Sequence, residues 1–143
     1  MRLQDCINFQ LTRAQNTVSL YFKSKLALYD FTPSQYALMN CLWEKDNQTP
    51  TQIAQTLCLD TSSISGLLAR AEAKGFIQRQ FNKEDRRTVM VSLTAKGASM
   101  EEPINSLIED ANRAILDGIG EENMDGMIRC FSMLIENVKR NMD

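Results

Sequence analysis

Residues 83–87, Lys-Glu-Asp-Arg-Arg, place five charges in a row between "FIQRQF" and "TVMVSL". Val89, Val91 and Leu93 alternate with Thr88, Met90 and Ser92, the period of a half-buried strand, so the charges sit at the tip of a short hairpin. Arginines on a narrow tip suit one task. The minor groove of DNA concentrates negative potential between its walls and draws guanidinium groups in. Asp85 repels phosphate and needs another role, which is to orient a neighbouring guanidinium through a charge-assisted bond. Upstream, Thr61, Ser62, Ser63 and Ser65 join Gly66 and Ala69 opposite Ile64, Leu67, Leu68 and Ala71. The apolar set follows i, i+3, i+4, i+7, one buried side of a helix. The other side is small and polar, as a helix entering a major groove requires. Its hydroxyls can bond phosphates or base edges, and its N-terminus carries partial positive charge. Taken singly, the helix face reads equally well as an ordinary solvated surface and the tip as a solvated turn. Their succession along the chain favours DNA.

Other chemistries lack their residues. The chain has no histidine, which removes the commonest general base and any His-based triad. Neither a P-loop nor a dinucleotide fingerprint occurs. Cys6, Cys41, Cys58 and Cys130 have no paired spacing, so no metal site and no cofactor is expected, and an enzyme is not expected. Apolar neighbours around Cys41 and Cys58 predict buried, reduced thiols. The 143 residues are 43% hydrophobic, enough for a core. No apolar run reaches the ~18–20 residues of a membrane span. The first residues, "MRLQDCINFQLTRAQN", are too polar for a secretion signal, and the expectation is a cytoplasmic protein with no membrane partner. Net charge is −2, yet it is unevenly spread. From Asp60 to Gly97 seven bases, Arg70, Lys83, Arg86 and Arg87 among them, outnumber four acids, whereas from residue 98 onward ten acids outnumber four bases. A polyanion meets the local basic patch rather than the average.

The elements that position these groups are legible too. Leu3, Ile7, Leu11, Ala14, Val18, Tyr21 and Phe22 mark an amphipathic helix over 3–29. Thr32 with Pro33 starts a second helix, about 33–45. Thr49, Pro50 and Gln52 form a capping box for a short third, with Ile53, Ala54 and Leu57 inward. Asp60 or Thr61 caps the helix of small residues, and Gly75 stops it. After the hairpin, Thr94 caps a helix of about 95–117 that Pro103 should bend or loosen. A last helix, 121–141, carries Met124, Met127, Ile128, Phe131, Ile135 and Val138 on one face. Two helices joined by a short turn and followed by a hairpin make a winged helix-turn-helix. The fold class is mainly α with a small β-hairpin.

With Asp85 and Arg87 on the tip and "LTAKG" (Leu93 to Gly97) after the strand, the chain resembles the MarR (multiple-antibiotic-resistance regulator) family of transcription factors. "FTPSQYALMNCLWE" is similar to that family's second helix, and "TPTQIAQTLCLDTSSISGLLARAEAKGFIQR" to its helix-turn-helix. The resemblance implies a homodimer, with residues 1–31 and 95–143 as dimerisation helices and 32–94 as the DNA-binding lobe. It implies a repressor reading an inverted repeat, Arg87 in the minor groove, Asp85 holding Arg87 or reaching towards Arg70, and Ser62, Ser63 and Ser65 facing the major groove. It also implies release by a small phenolic or acyl effector. Phe9, Arg13, Tyr36, Met39, Asn40 and Trp43 could line the crevice, with Arg13 holding an anionic aromatic compound; the plainer reading of Tyr36, Met39 and Trp43 is that they are core. Thiol oxidation is the rival trigger. The reactive cysteine of the peroxide-sensing branch aligns without gaps on Asn8, two residues from Cys6 and about 200° away on a helix, so ligand release is favoured. A winged-helix module that binds protein rather than DNA is the remaining alternative.

Overall fold

Side-chain caps set where the central helices begin. A computed structural model describes residues 1–142 of the chain. It opens with a short 3-10 turn, Leu3–Asp5, followed by α1 (Ile7–Leu26) and a second 3-10 turn, Ala27–Tyr29, so the helix expected over 3–29 begins only at Ile7, set off from the first turn by Cys6 in extended backbone. In α2 (Pro33–Glu44) the Thr32 hydroxyl accepts from Gln35 N at 3.2 Å, and Gln35 Oε1 accepts from Thr32 N at 3.1 Å. The same reciprocal pair, Thr49 with Gln52, opens α3 (Pro50–Leu57). Each satisfies two backbone donors that a helix start would otherwise leave bare. Asp60 caps α4 (Thr61–Ala73), accepting from Ser63 N at 2.7 Å. Gly75, at φ +76°, ends it in the left-handed region.

The hairpin pairs β1 (Ile77–Phe81) with β2 (Val89–Leu93), antiparallel, with Ile77 opposite Leu93 and Phe81 opposite Val89. Its tip is longer than the five residues the sequence suggested and spans 82–88. A third segment lies along the other edge of β2: Gln48 and Val91 exchange backbone hydrogen bonds of 3.1 and 2.8 Å. The Asp46 carboxylate adds a bond from Leu93 N at 2.9 Å. The buried Gln48 amide donates to the carbonyls of Cys41 and Lys45, so a polar group in the core carries no orphan donor. The turn between α2 and α3 thereby fixes the hairpin.

The core gathers Leu26, Leu38, Met39, Leu42, Ile53, Ile64, Leu67, Leu68, Phe76, Ile77, Val91 and Ile104. Phe31 and Phe76 pack with ring centroids 4.6 Å apart. Beyond β2 the helix expected over 95–117 is two helices, α5 (Ala95–Ser99) and α6 (Glu101–Ile115), separated at Met100. Pro103 explains the break. It lacks an N–H and its ring crowds the carbonyl four residues back, so the chain restarts and seats it third in a new helix. The chain divides into two compact units, one of residues 1–109 and one from residue 110 onward. The second holds α7 (Glu121–Met142), along which Ile128, Phe131, Ile135 and Val138 remain 43 to 57% exposed.

"LTAKG" forms a joint. The Thr94 hydroxyl accepts from Gly97 N at 3.0 Å to cap α5 and turns its proton towards the carbonyls of Gly75 and Phe76. Lys96 Nζ donates to Lys74 O at 2.7 Å and stands 4.9 Å over the Phe76 ring. Gly97 lies so close to the end of α4 that a Cβ there would fall 2.0 Å from Phe76 O. Its own carbonyl accepts from Trp43 Nε1 at 3.0 Å. Gly97→Ala should therefore force α5 off the Phe76 carbonyl and destabilise the fold by about 2–3 kcal/mol, in the upper range for overpacking. Urea unfolding of parent and variant measures this directly.

Candidate nucleic-acid interface

On α4 the buried side is Ile64, Leu67, Leu68 and Ala71, while Thr61, Ser62, Ser63, Ser65, Ala69 and Arg70 are exposed. The division expected from spacing is the one observed. Gly66 keeps the face shallow and gives Arg70 room, since a Cβ at Gly66 would stand 3.1 Å from Arg70 Nη1. The Arg70 guanidinium thus lies back along the helix towards the serines.

The bases of the middle segment divide into two groups. Arg79 on β1 makes two bonds to Glu72 on α4, at 3.0 and 3.3 Å, and Lys74 pairs with Asp30 at 3.3 Å. These charges brace the fold. Among the described residues, Arg70, Lys83, Arg86 and Arg87 take part in no ion pair, and all four are exposed. Asp85 does not hold a guanidinium as expected. One carboxylate oxygen accepts from Arg87 N at 3.0 Å and the other from the Thr88 hydroxyl at 3.2 Å. Asn82 Oδ1 does the same for Glu84 N at 2.9 Å. Asp and Asn readily bond their own backbone two residues on. Asp85 therefore shapes the turn that presents Arg86 and Arg87 and leaves their side chains free. That role for an Asp two residues before an Arg was available in the sequence as an Asx-turn signal.

The six residues proposed to hold an effector do not all fit that role. Met39 is fully buried within the core and cannot line a crevice. Trp43 is half-buried, with its N–H engaged by Gly97. Tyr36 packs 6.5 Å from Trp43, centroid to centroid; burial, then Glu44 and Glu109, push its hydroxyl above the usual phenol range. Phe9 and Asn40 are half-buried and Arg13 is exposed. The plain core reading holds for Met39 and, in part, for Tyr36 and Trp43. Cys41 is buried as expected, but Cys58 is exposed. It closes α3 in the left-handed region, at φ +53°, where the turn projects its thiol away from the apolar neighbours that suggested burial. Cys6 is the N-cap of α1 in extended backbone, so the helical rotation separating it from Asn8 does not apply.

A two-helix reader with an arginine-tipped hairpin defines a class, the winged-helix DNA-binding transcriptional regulators. The MarR family model matches residues 31–89. Over 102 residues the chain is 31% identical to the organic hydroperoxide resistance transcriptional regulator of Bacillus subtilis (strain 168), covering 71% of this chain and 69% of the relative. The chain belongs to the MarR family. A probable transcriptional regulator from Pseudomonas aeruginosa shares the fold with a TM-score of 0.86 at 26% identity, over 93% of this chain and 99% of that one. The transcriptional repressor CouR of Rhodococcus jostii RHA1, solved on a 23-mer DNA duplex, matches with a TM-score of 0.86 at 24% identity, over 93% and 94% of the two chains. The relatives are transcriptional regulators, and no helix of the described residues is long and apolar enough to cross a membrane.

The caps and braces of α4 predict a pH dependence. Hydrogen bonds from Ser63 hold the Asp60 carboxyl below its ordinary value of 3.8, and bonds from Arg79 hold Glu72 below 4.5. Each carboxylate is held more firmly deprotonated in the folded chain than in the unfolded one. Its contribution is complete above the ordinary value and disappears as pH falls through the lower, folded value. Glu72→Gln should lower the melting temperature at neutral pH and make its decline below about pH 4.5 shallower than the parent's. Thermal unfolding followed by circular dichroism across that range checks both.

Proposed function

We propose that the chain acts as a homodimeric repressor whose two winged lobes bind an inverted-repeat operator. α4 enters a major groove with Ser62, Ser63 and Ser65 towards the base edges and Thr61 near the backbone. Arg87 enters the neighbouring minor groove, while Arg70, Lys83 and Arg86 meet phosphates. The observation carrying this reading is the set of four exposed cations without internal partners beside a helix face free of bulk. A two-fold pair would set the α4 helices about one DNA turn, ~34 Å, apart. The exposed stripes of α1 (Ile7, Leu11, Val18) and α7 (Ile128, Phe131, Ile135, Val138) support self-association, because apolar surface of that extent is unfavourable on a monomer. Residues 1–31 and 95–143 would supply the dimer contacts. Release follows binding of a small aromatic or acyl compound near Phe9, Arg13, Tyr36 and Asn40. A second trigger, oxidation of Cys6, is favoured by its position at the head of α1 and by the hydroperoxide regulator among the relatives.

Anisotropy titrations against duplexes from the protein's own genomic neighbourhood test the reading. The parent should bind one fragment selectively, with affinity falling steeply as salt rises. Arg87→Ala should lose about tenfold in affinity and flatten the salt dependence by about one ion. Equal affinity of parent and variant would remove Arg87 from the interface. Repeating the titration with a phenolic acid, and with an organic hydroperoxide on parent and Cys6→Ser, separates the two triggers.

A further inference from the structure

Phe81 ends β1 with 69% of its surface exposed, an unusual place for a phenyl ring beside the most charged stretch of the chain. Strand alternation puts it on the same face as Ile77 and Arg79. Arg79 reaches across to Glu72 of α4, so this is the face of the hairpin turned towards the recognition helix. One strand step further out, Phe81 borders an open cleft with Asn82, Lys83 and Arg86, and its cross-strand partner is Val89. An apolar floor with cations at its rim matches the deoxyribose-phosphate unit, whose sugar has an apolar face and whose flanking phosphates are anionic. Duplex DNA with α4 in one groove and the tip in the next must run a backbone strand between the two, past this face.

We propose that Phe81 packs against a deoxyribose of the strand separating the two grooves, with Lys83 and Arg86 on the phosphates either side. The proposal rests on the DNA-binding reading above and adds an apolar contact to an otherwise electrostatic wing. An apolar contact differs from an ionic one in its salt response, because no counterion is released when it forms. Phe81→Ala should weaken binding to the operator fragment about tenfold, in keeping with the loss of a buried ring face, while the slope of log affinity against log salt stays at the parental value. Phe81→Leu should retain part of the affinity. Thermal unfolding should match the parent, since the ring is outside the core. Parental affinity in Phe81→Ala, or a flattened salt slope, overturns the proposal. If Arg87→Ala weakens binding in the same assay while Phe81→Ala does not, only the Phe81 contact fails. If neither variant differs from the parent, the wing assignment fails with it.

Discussion

The close approach of Gly97 to the Phe76 carbonyl is the constraint on which the DNA-facing geometry depends. It lets α5 start against the segment that follows α4, and Thr94, Lys96 and Trp43 close the joint with side-chain bonds to the carbonyls of Gly75, Lys74 and Gly97. The hairpin leaves from one side of this joint and returns to the other. Gln48 and Asp46 then hold its outer edge, and the Arg79–Glu72 pair braces its inner face. The base of the hairpin is thereby tied to α4 and to the turn before α3. Groups already held in place before binding lose less conformational freedom when a partner arrives.

The same construction sorts the charges. A count of bases between Asp60 and Gly97 treats Lys74, Arg79 and Lys96 as equal to Arg86 and Arg87. In the folded chain the first three are tied to Asp30, Glu72 and the Lys74 carbonyl. What remains is a smaller set on the α4 face and the wing tip. Net charge says little about binding in such a molecule, because the field near the tip is set by the charges there, Lys83, Arg86 and Arg87 against Glu84 and Asp85.

Much of the fold was legible from single residues with strong local physics. The Thr32, Thr49 and Asp60 caps, the two first-position prolines, the Gly75 stop and the alternation of β2 each act over a few neighbours, so sequence is enough. The exposed face of α4 followed from the spacing of its buried side. What was not legible depended on distant partners. Trp43 stayed open between crevice and core because the carbonyl that holds its N–H, that of Gly97, lies 54 residues away. Met39 was open to both readings, crevice and core, and neighbours drawn from several elements make it core. Cys58 looked buried because apolar residues flank it, but a left-handed backbone turns it outward. Asp85 was given a guanidinium partner, Arg87 or Arg70, whereas its carboxylate takes the backbone N–H of Arg87 in the same turn. The break at Met100 was visible only as a loosened turn, since the sequence named Pro103 but not the residue that would yield.

In the function proposed above, α4 and the hairpin tip enter neighbouring grooves together, once in each half of the operator. Hydroxyl-radical footprinting of the bound operator reports on this arrangement, because the radical attacks sugars from the minor groove. Two protected minor-groove stretches are expected, placed symmetrically about the centre of the inverted repeat and outside the segments occupied by the two α4 helices. Protection confined to the centre, or on one side alone, would contradict it.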